Sequence, residues 1–182
     1  MKPYYFKGFL IVLTTILMVQ CKLPNFSFKS GGKSNAEIPG KTISVGYFEN
    51  RAALSSSSAS ILFTEGLKNI MLAQSKKNLV EENADWEIEG EIKDYRISPV
   101  SIQAGSVTAA QNRLTMSVNV EWKYNGETEE NPAFDTKGNE TFSAFVDYDS
   151  TRDFTSIEEQ LLNELIRQLT QDIFDRIFGG KW

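Results

Sequence analysis

Polar and apolar residues alternate with period two over two central stretches of the chain. From Asp85 to about Ile97, Trp86, Ile88, Gly90 and Ile92 point one way, while Asp85, Glu87, Glu89 and Glu91 point the other. From Arg113 to Tyr124, Leu114, Met116, Val118, Val120 and Trp122 oppose Thr115, Ser117, Asn119, Glu121 and Lys123. Such alternation predicts strands with one buried and one wet face, as in an antiparallel sheet. A shorter run, Lys41 to Phe48, sets Ile43, Val45 and Tyr47 against Thr42, Ser44 and Gly46 and predicts a first strand. A fourth spans Glu140 to Tyr148, after the polar loop NGETEENPAFDTKGN. The segment SPVSIQAGSVTAAQ reads as a loop or as an extension of the hairpin it joins.

Two segments follow the helical period instead. Phe63, Leu67, Ile70 and Met71 fall on one face of a helix that starts in the serine run Ser55 to Ser58, whose hydroxyls are N-cap candidates, and ends near Gln74. Ile157, Leu161, Leu165, Leu169, Ile173 and Ile177 form a second stripe, widened by Leu162, Ile166 and Phe174. A capping box at Ser156-Ile157-Glu158-Glu159 opens this helix, and Gly179 and Gly180 end it. The predicted order is β-α-β-β-β-α. It implies an α+β two-layer sandwich, with two helices packed on one face of a four-stranded mixed sheet. The first two strands, joined by a helix, are expected to be parallel through a right-handed crossover, and the remaining neighbours antiparallel.

Residues 1–20 read differently. Lys2 and Lys7 flank Gly8 to Val19, an apolar run shorter than the roughly 20 residues that span a bilayer. This is the layout of a secretory signal peptide. The one cysteine, Cys21, follows it directly, and a polar tether from 21 to about 40 leads to a single globular domain over 41–182. The Lys/apolar/Cys order resembles a bacterial lipoprotein signal, in which the cysteine is acylated. The usual leucine and two small residues before the cysteine are here Met18, Val19 and Gln20, with Leu17 one place early. An ordinary signal peptide with an incidental or buried thiol is the alternative. A multiply acylated Cys21 would be a stable membrane anchor.

Composition narrows the chemistry. With no histidine there is no Ser-His-Asp or Cys-His machinery, and one cysteine makes neither an internal disulfide nor a zinc site. The formal charge of −5 becomes −7 without residues 1–20, since 17 basic groups then face 24 acidic ones. That argues against nucleic acid as a partner. Glu87, Glu89 and Glu91 line one strand face rather than flanking a substrate, and Asp147, Asp149 and Asp153 lack the glycine and terminal glutamate of a calcium loop. No catalytic residue, metal or cofactor is expected, and Asp149 and Ser150 read as turn or cap residues.

The runs ISVGYFENRAAL, FTEGL, ADWEIEGEIKDYRISPVSIQAG, AAQNRLTMSVNVEWKYN, FSAFVDYDS and the last helix, in this order behind a lipoprotein cysteine, resemble the lipopolysaccharide-assembly lipoprotein (LptE-like) family in its Bacteroidetes-type form. NRLTMSVNVEW, DYRISPV and VDYDS carry most of the likeness, which covers essentially all of 41–182. The resemblance implies an outer-membrane lipoprotein whose domain plugs the lumen of a large β-barrel partner, helps assemble it, and contacts the lipopolysaccharide that the pair inserts into the outer leaflet. Lipid phosphates need Arg or Lys donors, and Arg51, Arg96, Arg113 and Lys123 near strand ends and loops are the candidates. The first acid after Cys21 is Glu37, so no acidic export signal follows the cysteine and a periplasm-facing position is expected. The competing reading is a free-standing envelope lipoprotein that binds a glycan on Trp122 and Tyr124. Exposed, coplanar tryptophans would favour it, and buried ones would count against it.

Overall fold

The long alternating stretches pair with each other and form the centre of one sheet. The computed structural model describes residues 37–53, 57–100, 110–127 and 134–179. Its elements are β1 (Thr42–Val45), β2 (Glu49–Asn50), α1 (Ser57–Ser75), β3 (Asn78–Leu79), β4 (Trp86–Val100), β5 (Gln111–Tyr124), β6 (Lys137–Asp149) and α2 (Phe154–Phe178). The sheet order is β3-β1-β4-β5-β6, with β2 continuing along β4 beyond β1. β1 and β4 are parallel, while β4–β5 and β5–β6 are antiparallel, as the element order required. The signal peptide, most of the tether and the serine cap candidates Ser55 and Ser56 lie outside the described residues.

Both helices cover one face of this sheet, giving the expected two-layer α+β arrangement. The core holds Phe63, Leu67 and Met71 of α1, the apolar stripe of α2, and Trp86, Ile88, Ile92, Leu114, Met116, Val118, Val120 and Trp122 of the sheet. Where α1 crosses α2, a Cβ at Gly66 would run into the Ile166 side chain, so the absent side chain sets how closely the helices approach.

Three sequence expectations change. The sheet has more than four strands, because a two-residue β3 pairs parallel with β1 at the edge and the first strand is split in two. The split has a local cause. Val45 pairs with Ile88, yet Glu49 pairs with Glu91, so four steps on one strand match three on the other. One extra residue reverses the side-chain alternation. Phe48 is therefore fully buried and Tyr47 is 59% exposed, the opposite of the predicted face. A second irregularity between Ile92 and Asp94 sets Lys93 outside the ladder and turns Tyr95 into the core three positions after Ile92.

The third change concerns the start of α2. Its N-cap is Asp153, whose carboxylate accepts from the Ser156 N–H at 3.2 Å, so the helix starts before the predicted capping box. A carboxylate there also meets the positive end of the helix. At the other end Gly179 caps the helix, as expected, with right-handed dihedrals (φ −71°), its N–H donating to the Asp175 carbonyl at 2.8 Å.

Two contacts tie the first strand down. The Phe48 ring lies over Gly90, where any Cβ would overlap both that ring and the Asn119 carbonyl; it also meets Phe63 edge-on at 5.0 Å. At the start of β1, the Asp85 carboxylate accepts from the N–H of Lys41 (2.6 Å), the N–H of Thr42 (3.0 Å) and the Thr42 hydroxyl (3.1 Å). Ile38, Pro39 and Gly40, at the end of the expected tether, already belong to this packing, since the Trp86 indole N–H donates to the Pro39 carbonyl at 2.8 Å.

Removing the Phe48 ring opens a core cavity, so Phe48→Ala should cost about 3–5 kcal/mol, whereas Tyr47→Ala should stay within about 0.5 kcal/mol. Urea unfolding of both variants checks the bulge, because an unbroken strand predicts the reverse ranking. The backbone N–H of Lys41 is the main cause that holds the Asp85 carboxyl below its ordinary 3.8. A depressed folded-state pKa stabilises fully above the unfolded value and is lost as pH falls through the folded one. Asp85→Asn should therefore be less stable than the native chain at pH 7, with the gap narrowing below about pH 4; denaturation at both pH values measures it.

Candidate functional site

With the helices on one side, the other side of the sheet is an open polar surface built row by row from the strand register. Its rows across β4, β5 and β6 are Ser98-Arg113-Asp147, Arg96-Thr115-Phe145, Asp94-Ser117-Ser143, Glu91-Asn119-Thr141, Glu89-Glu121-Asn139 and Glu87-Lys123-Lys137. Hydroxyl and amide pairs tie neighbouring strands, Ser117 to Ser143 at 2.9 Å and Thr141 to Asn119 at 3.1 Å. Such cross-strand pairs add roughly 0.2–1 kcal/mol each and leave the surface wet.

All four basic candidates belong to this side, but the fold does not gather them. Arg96 and Arg113 are diagonal neighbours toward the β4–β5 hairpin end, Lys123 lies at the opposite end, and Arg51 follows β2 at the edge. Arg113 is held on two sides. Its guanidinium donates to both oxygens of Asp147, at 2.7 and 2.8 Å, and stacks 3.7 Å from the centre of the Phe145 ring. The hydrogen bonds from Arg113 hold the Asp147 carboxyl below its ordinary value and keep the guanidinium charged. Arg51 reaches Glu91 at 3.0 Å and Glu49 at 3.3 Å, and Arg96 pairs with Asp94. Lys123 makes no ion pair with a described residue.

The acidic row of β4 extends sideways through register. Glu121 stands opposite Glu89 and Glu49 beside Glu91, so the carboxylates share one open surface rather than facing across a cleft. Tyr47, Arg51 and Asn119 border a shallow depression of about 320 Å³ there. Tyr47 reaches it only because of the bulge, and nothing in the alternation signals that. Phe145, 51% exposed, was legible: it is the one large apolar residue among Thr141, Ser143 and Asp147 on its strand face.

Both strand tryptophans lie on the helix side and are buried. Trp86 is 0% exposed, 4.9 Å from the Tyr124 ring and 5.0 Å from Phe178. Trp122 is 1% exposed and donates its indole N–H to the Asp135 carbonyl at 2.8 Å. Arg176 of α2 lies 5.3 Å from the Trp122 ring and bridges the Asp135 and Glu140 carboxylates at 2.6 and 2.8 Å. These indoles are packing elements and offer no exposed aromatic platform, which counts against the glycan reading.

No curated protein sequence shows significant similarity to the chain. Among solved structures it is similar to a hypothetical protein from Chlamydia trachomatis (9% identity, TM-score 0.53, covering 78% of this chain and 97% of that one). It is also similar to rare lipoprotein B from Shewanella oneidensis (13%, 0.48, 74% and 92%) and to a minor lipoprotein from Acinetobacter baumannii (16%, 0.44, 74% and 89%). At such identities the likeness concerns the fold alone. The LptE family model, described as lipopolysaccharide-assembly, matches residues 40–177, which is nearly the whole folded domain. The chain belongs to the LptE family.

Proposed function

We propose that this protein is a non-enzymatic outer-membrane lipoprotein, acylated at Cys21 and periplasm-facing, whose domain occupies and helps assemble a large β-barrel that inserts lipopolysaccharide into the outer leaflet. The observation that carries the reading is the family match over residues 40–177. The polar sheet surface supports it physically. Wide barrels have polar lumens, so a domain that fills one needs hydrogen-bonding side chains on its outside rather than an apolar patch. The large apolar residues exposed among the described ones are scattered: Tyr47 at the sheet edge, Ile61 and Leu72 on α1, Ile97 and Phe145 toward the hairpin end. The narrower Bacteroidetes-type placement rests on NRLTMSVNVEW, DYRISPV and VDYDS.

On this reading lipopolysaccharide phosphates meet a mostly committed set of cations. A phosphate at Arg51, Arg96 or Arg113 has to displace Glu91, Asp94 or Asp147, while Lys123 is held by no carboxylate among the described residues. The competing glycan-binding lipoprotein requires an aromatic platform, and the burial of Trp86 and Trp122 counts against it.

Photocrosslinkers placed in cells at the exposed or half-exposed positions Thr115, Ser117 and Ser143 are expected to capture one large outer-membrane barrel protein. Recovery of soluble proteins alone overturns the plug reading. Depletion of the protein should leave lipopolysaccharide short of the cell surface, measured by surface labelling. Cys21→Ala should leave the thermal unfolding of the domain unchanged and remove the protein from the outer-membrane fraction; retention there would mean that Cys21 is not the anchor.

A further inference from the structure

The parallel pairing of β1 with β3 brings together two segments far apart in sequence. Strands that run the same way start at the same end, so the residues just before each, 37–41 and 76–77, meet at one edge of the sheet. The Asn78 N–H donates to the Lys41 carbonyl at 3.0 Å and closes the junction. Lys76, with φ +58°, ends α1 in the left-handed conformation, and the Lys77 N–H donates to the Ser75 hydroxyl at 3.1 Å. Around a surface pocket of about 480 Å³ stand Lys41, Lys76 and Lys77, with Glu37 as the one acid. None of the three ammonium groups has a carboxylate of a described residue within ion-pair distance, whereas Arg51, Lys68, Arg96, Arg113 and Arg176 each do.

Charge is also sorted along the sequence. Between Cys21 and Lys41 the sequence has Lys22, Lys29, Lys33 and Lys41 against Glu37 alone; with Lys76 and Lys77 that makes six lysines and one acid. The rest of residues 42–182 carries 23 acidic and 11 basic groups, a net −12. Glu37, which lines the pocket, follows Cys21 by 16 residues, a chain reach of at most about 55 Å.

We infer that Lys41, Lys76 and Lys77 form a docking surface for the anionic phospholipid headgroups of the leaflet that holds the Cys21 anchor. The inference rests on the anchor reading above. Lysines near an anionic leaflet contribute about 1 kcal/mol each, within a Debye length of roughly 8 Å. The same field repels the net −12 remainder. Attraction at one edge and repulsion of the remainder orient the tethered domain, with the β1–β3 edge toward the membrane. Lysines that only balance the negative C-terminal end of α1 would do none of this.

The test uses the mature acylated lipoprotein in vesicles of phosphatidylcholine, with and without phosphatidylglycerol, read by hydrogen exchange over 37–45 and 76–80. Phosphatidylglycerol should slow exchange there about tenfold, high salt should restore it, and the Lys41→Glu/Lys76→Glu/Lys77→Glu variant should not respond. Circular dichroism of the variant establishes that it is folded; if it is not, the single variant Lys76→Glu, on an exposed residue, should show a reduced response. Equal exchange in both vesicle types overturns the inference, as does an undiminished response in a folded variant. So does equal slowing by inorganic phosphate alone, which would mark a small-anion pocket. The intact mass of the same preparation separates the two claims: a chain without acyl groups removes the anchor reading, while an acylated chain that does not respond removes only the docking surface.

Discussion

The pairing of β4 with β5 is the constraint on which the other elements depend. Its register runs from Trp86–Tyr124 to Val100–Gln111 and puts a continuous apolar face on one side and a continuous polar face on the other. The apolar face has to be covered, and one helix is too narrow for it. α2 therefore lies over β5 and β6 while α1 lies over β1 and β2, and the two meet where Gly66 leaves room for Ile166. A one-residue slip in this ladder would turn every apolar side chain to water, so the hydrophobic effect sets both the register and the helix positions.

The opposite face inherits its character from the same pairing. Side chains that alternate away from the core are polar in every row apart from Phe145, and their register joins Arg113 to Asp147 and Glu89 to Glu121. Such a face is suited to a wet, hydrogen-bonding environment, as within the lumen of a wide barrel. It also explains why the basic candidates do not converge: strand positions two apart share a face but move along it, so Arg96 and Lys123 are on the same side and at different ends. The charges that do converge, Lys41 with Lys76 and Lys77, are assembled by the parallel β1–β3 edge.

Most of the architecture was legible from residues alone. The two helical stripes, the buried faces of β4 and β5 and the parallel relation of the first strand to the second follow from local periodicity and chain connectivity, which act over short stretches. What periodicity missed was irregular. The bulge after Val45 buries Phe48 instead of Tyr47, and its reason lies across the sheet, in the slot over Gly90 that a phenyl ring fills. Asp153 took the cap from Ser156 because the chain enters α2 from the turn at Asp149, where Thr151 donates to the carboxylate at 2.8 Å through its N–H.

For this protein, then, the sequence by itself determined the element order, the two-layer arrangement, most of the core and the likeness to a family. Each of these depends on spacing along the chain, since apolar burial is roughly additive over residues. Only the tertiary structure decided which side chain of the first strand enters the core, which carboxylates hold Arg51, Arg96, Arg113 and Arg176, and that Lys41 shares one pocket with Lys76 and Lys77 of a distant segment. Those outcomes depend on distances of a few ångströms between segments up to dozens of residues apart, and no period along a single segment encodes them.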